Sequence, residues 1–278
     1  MKRVLIIITA LLCTLFTVMM GQTSYAEKKV VAIPRVQSTY GGGEAERACQ
    51  DFETQMIGVL IKSGQYQVVE RSRLTEVLDE LGIQDTGLIS GDTAIQFGEM
   101  TGAQYTLTSR LLDARIDVVD KYLFKAKVAK VKFDIRLIDN KTGIIMTSET
   151  IEGSKTAPMD VPFVGTAGIS EAVNDATKNL IKYLDEKYPL SGNVAHVTDS
   201  QVYLDLGSEN GVRVGEKFIV YREGAPIINP MTHELMAVEE NKVGLVKIVE
   251  VKPNYAVAEY ANGKGQIKVS DKVKRGHK

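Results

Sequence analysis

The sequence has no tryptophan, few other aromatic residues and few metal-binding side chains. Aromatic residues make up 6% of the 278 residues, and there are only two cysteines and three histidines. The formal net charge is -1, so the chain has no basic excess to neutralise a phosphate backbone, and we expect no nucleic-acid partner. With 44% hydrophobic and 25% charged residues, the composition is typical of a globular protein with one large or two modest domains.

Recognisable catalytic motifs are also missing. His196, His233 and His277 are not spaced to place two ligands on one helix face, and no Gly-x-Ser-x-Gly elbow, phosphate loop or calcium loop is present. We therefore predict no catalytic, cofactor-binding or metal-binding residues, no cofactor, and a protein that is not an enzyme.

Two features that carry chemistry in other proteins have simpler interpretations here. The run Gly41–Gly43 lacks the further glycine spacing of a phosphate loop, and we expect a flexible connector. Two pairs of acids, Asp51 with Glu53 and Glu239 with Glu240, are expected to be solvated surface residues, because paired catalytic acids need burial that a sequence does not reveal.

The first 26 residues have the pattern of a secretory signal peptide. Lys2 and Arg3 precede an apolar stretch from Val4 to Met20, and small residues lie three before and one before a cut following Ala26. The apolar stretch is shorter than the roughly 20 residues that a membrane-spanning helix needs, which disfavours a retained anchor.

The two cysteines have different predicted fates. Cys13 lies deep inside the apolar stretch without the preceding small residue of a lipoprotein signal, so we expect no lipid anchor. Removal of the leader leaves Cys49, which shares helical spacing with Ala45, Phe52 and Met56. Core packing is the favoured interpretation, and an intermolecular link or a free thiol is the alternative.

Residues 27–188 alternate between strand and helix patterns. A short apolar strand, Val30–Ile33, ends at Pro34, and an amphipathic helix runs from Ala45 to Leu60. A second strand, Tyr66–Val69, follows. Three further helices are predicted from candidate N-caps at Ser72, Asp92 and Ser170.

The middle of this region predicts an antiparallel meander of Tyr105–Leu112, Val131–Ile138 and Ile144–Ile151. In its central strand, the apolar side chains fall on odd positions from Ala129 to Leu137. Charged side chains occupy the even positions from Lys130 to Arg136, so one face is expected to be buried and the other wet.

The segment before this central strand is lysine-rich and shifts its pattern. Tyr122, Phe124, Ala126 and Val128 place the apolar set on even positions, which predicts a bulge or turn near Val128 to Lys130. We favour a curled sheet edge guarded by lysines. The alternative is a shortened membrane hairpin or a surface for ring neighbours; neither residues 113–130 nor 154–169 form a clear hairpin through lipid.

Residues 189–278 have a different sequence pattern. Short apolar runs such as Val202–Leu206, Phe218–Tyr221 and Val243–Val251 alternate with glycine-rich turns, which favours a small β-barrel or sandwich. We therefore predict an α/β (α+β) protein with three parts: a signal peptide at 1–26, a mixed sheet flanked by helices at 27–188, and a small all-β barrel at 189–278.

Several segments between residues 29 and 187 resemble the CsgG family of curli production and transport proteins. The resemblance is carried by Val31–Pro34, Tyr66–Leu74, Gly102–Tyr105, Val131–Ile138 and Thr142–Ile145. The chain departs from that family because it lacks the lipid-attachment cysteine and the two membrane hairpins of the ring-shaped secretion channel.

The C-terminal region resembles the C-terminal domain of the flagellar assembly protein FlgT. Its carriers are Val202–Gly207, Asn210–Val212 and Gly215–Phe218. This resemblance is shorter than the first and covers the predicted barrel.

The two resemblances imply a non-enzymatic envelope protein on the periplasmic side of the outer membrane. The main expectation is a CsgG-like factor that supports export or assembly of curli-type surface polymers. The alternative is a periplasmic regulator or structural component, such as an LpoB-type peptidoglycan-synthase activator or a FlgT-like flagellar assembly protein. Expected partners are envelope proteins and further copies of this chain, with association to the outer membrane left open.

Overall fold

The structure is a computed structural model that describes residues 28–82, 91–121, 124–158 and 165–276. The predicted signal peptide, its cleavage after Ala26, Cys13 and His277 lie outside these residues. The described part contains four α-helices and twelve strands, arranged as a mixed sheet followed by a closed barrel. The predicted mixed α+β architecture, with an all-β C-terminal part, is confirmed at this level.

The N-terminal unit contains six strands and four helices. The strands are β1 (Lys29–Ala32), β2 (Gln37–Ser38), β3 (Tyr66–Val68), β4 (Tyr105–Lys121), β5 (Phe124–Asp139) and β6 (Ile145–Pro158). The helices are α1 (Gly43–Lys62), α2 (Arg71–Glu80), α3 (Gly91–Thr101) and α4 (Gly165–Lys187).

The sheet has the order β3-β1-β4-β5-β6, and β2 pairs with β4 beside β1. The short strands β1, β2 and β3 are parallel to their neighbours, whereas β4, β5 and β6 form the predicted antiparallel meander. The meander strands are much longer than predicted, because cross-strand pairing continues through the charged segments on both sides of the β4–β5 turn.

Alternation along the strands sends side chains to two separate cores. Val31 belongs to a large core beneath α1 and α4, whereas the adjacent Ala32 joins a small core beneath α2 and α3. In the large core, Phe52 of α1 and Phe133 of β5 stack with their ring centroids 3.8 Å apart. Cys49 is buried in this core, as its helical spacing predicted.

Three predicted helix caps are wrong. The N-cap of α2 is Glu70, and Ser72 lies inside the helix. Asp92 lies in the first turn of α3. Helix α4 begins at Gly165, so Ser170 is an internal residue, and its hydroxyl donates to Asp51 Oδ2 at 2.8 Å. Cap signals identified these helices but misplaced their first residues.

The predicted shift of the apolar set in β5 is confirmed, whereas the predicted bulge is not. Ala126, Val128, Ala129 and Val131 are all buried, so the buried set changes from even to odd positions. Pairing of β5 with both neighbours nevertheless stays in register through these residues. The bulge in β4 lies between Leu111 and Asp113.

The explanation of this segment as a lysine-guarded sheet edge is wrong. Strand β5 is paired on both sides, with β4 and with β6, over its lysine-rich part. Three of its lysines, Lys125, Lys130 and Lys132, pair with acids of the neighbouring strands, whereas Lys127 lies between Val118 and Ala157. The edge of the sheet on this side is β6.

The C-terminal unit is a closed barrel of six antiparallel strands in the order β10-β11-β8-β7-β12-β9. These are β7 (Ser191–Val197), β8 (Gln201–Leu204), β9 (Lys217–Ile228), β10 (Leu235–Val251), β11 (Ala256–Asn262) and β12 (Lys272–Arg275). Fully buried apolar side chains such as Leu204, Phe218 and Ile248 fill its interior. Closure leaves the central part of each strand paired on both sides.

The two units touch through a pair of glycines. Gly64 follows α1 and Gly211 follows a short 3-10 turn, Ser208–Asn210, and both have positive φ. A Cβ on Gly211 would overlap the carbonyl of Ser63, and a Cβ on Gly64 would overlap the backbone of Gly211. Arg275 Nη2 donates to Gly211 O at 2.9 Å, which fastens β12 to the same point.

Candidate functional site

The most distinctive surface of the N-terminal unit is the face of β4, β5 and β6 opposite α1 and α4. We call this surface the charged face. In the described residues, α2 and α3 cover only the part of this side near β1. The charged face consists of Arg115, Asp117, Lys130, Lys132, Asp134, Arg136 and Glu152.

Ion pairs link these side chains both within a strand and between neighbouring strands. Asp117 Oδ2 lies 3.2 Å from Arg115 Nε and 3.2 Å from Lys130 Nζ, and Arg115 also pairs with Asp113. On the other side of β5, Lys132 Nζ lies 2.6 Å from Glu152 Oε1. The strands therefore hold the charges in a fixed alternating pattern.

This arrangement changes the pKa values of its carboxylates and of Arg115. Hydrogen bonds from Lys130 and Arg115 lower the pKa of Asp117, and the hydrogen bond from Lys132 lowers the pKa of Glu152. The hydrogen bond to Asp117 raises the pKa of Arg115. The face keeps its charge pattern at neutral pH, and its chemistry suits recognition of a complementary charged surface.

A second feature is a cleft of about 580 Å³ at the carboxyl end of β1. It is lined by Arg35, Tyr40, Cys49, Glu53 and Arg71, together with Gly41 and Gly42. Parallel sheets commonly bind ligands at this position.

The cleft side chains are engaged in structural contacts. Glu53 pairs with Arg71 and accepts a hydrogen bond from the Val36 N–H at 3.2 Å. Burial raises the pKa of the Cys49 thiol to about 11, so the thiol is protonated at neutral pH and is a poor nucleophile. The arrangement supports folding of this region and supplies no activated group.

The two pairs of acids discussed in the sequence analysis lie in different environments. Asp51 accepts from Ser170, and Glu53 is half-buried in the pair with Arg71, so the expectation that these two acids are solvated is wrong. Glu239 and Glu240 are exposed as predicted, and Glu240 pairs with Lys274.

The predicted connector and the two described histidines lie apart from one another. Gly42 precedes the first residue of α1, and Gly41 and Gly42 line the cleft. His196 lies beside Tyr203 in the barrel, and His233 lies in the turn between β9 and β10. Across residues 28–82, 91–121, 124–158 and 165–276, no cluster of three metal-binding side chains is found.

The sequence predicted a solvent-exposed face on β5 but did not predict how the charges on that face pair with residues of neighbouring strands. The alternation of Lys130, Lys132, Asp134 and Arg136 signals an exposed side of a strand. The partners on β4 and β6 depend on register, and the bulge after Leu111 shifts that register by one residue. In the described part of the chain, no helix has the length and apolar character needed to cross a bilayer.

Two family models match parts of this chain. Residues 22–152 match the family model of the peptidoglycan-synthase activator LpoB. The N-terminal unit is similar to LpoB. Residues 199–275 match the model of the C-terminal domain of the flagellar assembly protein T, which confirms the FlgT resemblance.

One curated relative and several solved structures are also similar. An uncharacterized protein of Aquifex aeolicus (strain VF5) is 33% identical over 93 residues, which are 34% of this chain and only 18% of that protein. The LpoB C-terminal domain from Escherichia coli is 18% identical, covers 51% of this chain and 94% of its own, and has a TM-score of 0.35. A hypothetical protein from Chlamydia trachomatis is 14% identical, with coverage of 57% and 96% and a TM-score of 0.41.

The resemblance to the CsgG family is wrong. The family model that matches this region is LpoB, and the match includes the segments that carried the CsgG resemblance. Those segments are a strand leading into a helix and a β-hairpin, which are local devices that many α+β proteins share. Curli production, secretion of curli subunits and export of surface polymers therefore have no support. The matches support the alternative, an envelope regulator or structural component of the LpoB or FlgT type.

Proposed function

We propose that this chain is a non-catalytic regulator of cell-wall synthesis that acts in the periplasm by binding a peptidoglycan synthase. The observation that carries the proposal is the match of residues 22–152 to the LpoB family model. That match contains α1, α2, α3, β4 and β5, and therefore most of the charged face. Envelope proteins are the proposed partners, and the N-terminal unit is the proposed binding unit.

The charged face is the proposed contact surface for the synthase. Two ion pairs, Asp117 with Lys130 and Lys132 with Glu152, join neighbouring strands, so these side chains are partly ordered before binding. Fixed charges of both signs favour one orientation of a charged partner and disfavour others. Regulation by such a contact needs no catalytic group on this chain.

The test is binding and activation with purified full chain and each peptidoglycan synthase of the same organism. We expect saturable binding to one synthase and faster glycan polymerisation by that enzyme. The double variant Lys130→Glu, Lys132→Glu is expected to weaken binding by at least about tenfold, because it removes two cations from the face and opposes the retained acids.

A matched control is the double variant Lys264→Glu, Lys268→Glu, which makes the same charge change on exposed residues of the barrel. It is expected to bind the synthase as the unmodified chain does. If both double variants bind normally, the surface assignment is wrong. If the unmodified chain neither binds nor stimulates any synthase, the function itself is wrong.

A flagellar role is the second candidate function, favoured by the FlgT match of residues 199–275. A deletion strain separates the two candidates. Loss of swimming and of flagellar filaments with normal glycan synthesis would favour the flagellar role. Altered cell shape or sensitivity to cell-wall antibiotics in motile cells would favour regulation of the synthase.

A further inference from the structure

Strands β9 and β10 extend beyond the barrel as a two-stranded hairpin arm, which we define as residues 223–241. Strand β12 pairs with β9 only from Phe218 to Tyr221, and β11 pairs with β10 only from Leu245 onward. At the base of the arm, Arg222 donates from Nε and Nη2 to the two carboxylate oxygens of Asp271 at 2.6 and 2.8 Å. The arm therefore projects from a fixed base with both outer edges unpaired in the described structure.

The end of the arm is apolar on both faces. Ile227 and Ile228 are consecutive in β9 and place one side chain on each face of the hairpin, and Leu235 lies opposite Ile228 across the hairpin. Met236 is the extra residue of a bulge between Leu235 and Ala237. We define the apolar tip as Ile227, Ile228, Met231, Leu235, Met236 and Val238, with exposed fractions between 40% and 87%. Large apolar side chains gathered in this way mark an interaction surface, and an isolated two-stranded hairpin is only marginally stable in water.

The charge of the arm indicates what it binds. Residues 223–241 include Glu223, Glu234, Glu239 and Glu240 and contain no lysine or arginine. Anionic lipid surfaces attract basic segments and repel acidic ones, and the tip has no tyrosine or tryptophan to settle at a membrane interface. The arm is therefore suited to an apolar protein surface bordered by basic side chains.

An exposed apolar patch with one neighbouring lysine lies at the beginning of β6 of the same chain. Ile144, Ile145 and Met146 are consecutive and exposed by 63%, 51% and 39%. The exposed Lys141 lies in the turn just before them, where Asp139 accepts the Lys141 and Thr142 backbone N–H groups. We define Ile144–Met146 together with Lys141 as the edge patch.

The edge patch adjoins free backbone groups of an edge strand. Strand β6 pairs with β5 alone, and α4 side chains cover part of its outer edge: Asp175 accepts from the Ser154 N–H at 3.0 Å, and Asn179 Nδ2 donates to Glu152 O at 2.9 Å. Alternate residues face the same edge, so the backbone groups of Thr150 also face it. No contact of this kind covers Thr150 in the described residues, which leaves this end of the edge open to an added strand.

We propose that the hairpin arm of one copy of this chain adds to the β6 edge of a second copy. The apolar tip covers Ile144–Met146, the acidic arm faces Lys141, and a strand of the arm pairs with the open part of the edge. The two surfaces differ, so the contact is heterologous and each copy has both a donor and an acceptor surface. This association is independent of synthase binding, which we assign to the charged face.

The test is light scattering on the purified full chain over about a hundredfold range of concentration. We expect the mass to rise with concentration. Met236→Glu in the arm and Ile145→Glu in the edge patch are each expected to weaken association by at least about tenfold, because each buries a charge in the contact. Val269→Glu, at a comparably exposed apolar residue outside both surfaces, is the matched control and is expected to associate normally.

Mixing the two variants distinguishes this contact from a symmetric one. In an equimolar mixture, the Met236→Glu chain keeps an unmodified edge patch and the Ile145→Glu chain keeps an unmodified arm. Each pair of chains can therefore form one contact, and we expect dimers that do not associate further. Thr150→Pro removes a backbone donor from the edge and is expected to weaken association while leaving pairing with β5 intact. A Met236→Cys chain mixed with an Ile145→Cys chain is expected to form a disulfide between copies, since Cys49 is buried.

Three outcomes would overturn the proposal. The first is a monomer at every concentration. The second is association that Met236→Glu abolishes and Ile145→Glu leaves unchanged, which would indicate contact between two arms. The third is binding of the unmodified chain to vesicles of anionic phospholipid that Met236→Glu abolishes, which would identify the arm as a membrane contact.

Discussion

Gly153 of β6 lies where α4 crosses the sheet, and the absence of a side chain lets the two elements approach closely. A Cβ at this position would overlap the Ala172 carbonyl and the Ala176 backbone. Small residues on both elements thus set the distance between helix and sheet. Gly58 in α1 is the opposite case, because a Cβ there would meet no other atom within 4 Å.

Alanine substitutions at these two glycines are expected to change the stability of the protein in opposite directions. Gly153→Ala is expected to destabilise the protein by about 1 to 3 kcal/mol, because α4 must move away from β6. Gly58→Ala is expected to stabilise it by about 0.5 to 1 kcal/mol, because alanine is favoured in a helix interior. Urea unfolding monitored by circular dichroism measures both. A neutral Gly153→Ala would show that the helix shifts without cost.

Single residues also show where prediction from sequence succeeded and failed. The helical spacing of Cys49 with Phe52 and Met56 correctly predicted a buried thiol, because burial follows from periodicity. Ser170 was wrongly predicted to start a helix, because its hydroxyl contacts Asp51 of another helix 119 residues away in sequence. A hydroxyl that caps its own helix and one that bonds a neighbouring helix look alike in a sequence.

The strands of the meander are longer than the sequence predicted. The sequence predicted β5 from Val131 because charged residues interrupt the apolar pattern before it. In the structure the strand continues through these charges, and Asp117 of β4 pairs with Lys130 of β5 across the two strands. Cross-strand ion pairs depend on register, which a single sequence does not specify. The exposed side of the strand could therefore be predicted from the sequence, whereas the ion pairs on it could not.

The charged face predicts a pH dependence with a defined sign. The folded-state pKa of Asp117 is lowered, so its contribution to stability is present above the unfolded-state pKa of about 3.9 and is lost as the pH falls through the folded-state value. Lys130→Met is expected to raise the pKa of Asp117 toward its ordinary range and to flatten the acid end of the stability profile. Carbon NMR titration of the carboxylates measures the first effect.

Lys264→Met is the control for that titration, because it removes a lysine from the barrel and leaves the charged face intact. Its Asp117 pKa is expected to match that of the unmodified chain. An unchanged Asp117 pKa in Lys130→Met would show that Arg115 alone sets the charge state of this carboxylate.

At the scale of the whole molecule, the contact of Gly64 with Gly211 fixes how the barrel meets the N-terminal unit. Gly211→Ala combines a positive φ of 78° with an overlap against Ser63 O. Gly215→Ala has a similar φ of 89° and no atom within 4 Å of the added Cβ. The two variants therefore separate backbone strain from contact between the units.

Gly215→Ala is expected to destabilise the barrel by about 1 kcal/mol through backbone strain alone. Gly211→Ala is expected to cost more and to split thermal unfolding into two transitions, because the units lose their shared contact. Differential scanning calorimetry of both variants provides the measurement. Equal effects of the two substitutions would show that the glycine contact does not couple the units.

The same contact restricts how the gene can change over evolution. A Cβ at 211 would overlap the Ser63 carbonyl and a Cβ at 64 would overlap the Gly211 backbone, so neither position can acquire a side chain while the units keep this contact. Among descendants of this protein that keep both units, glycine is expected to be retained at both positions. A descendant that loses the barrel would lose the overlap at position 64, where only the positive φ would still favour glycine.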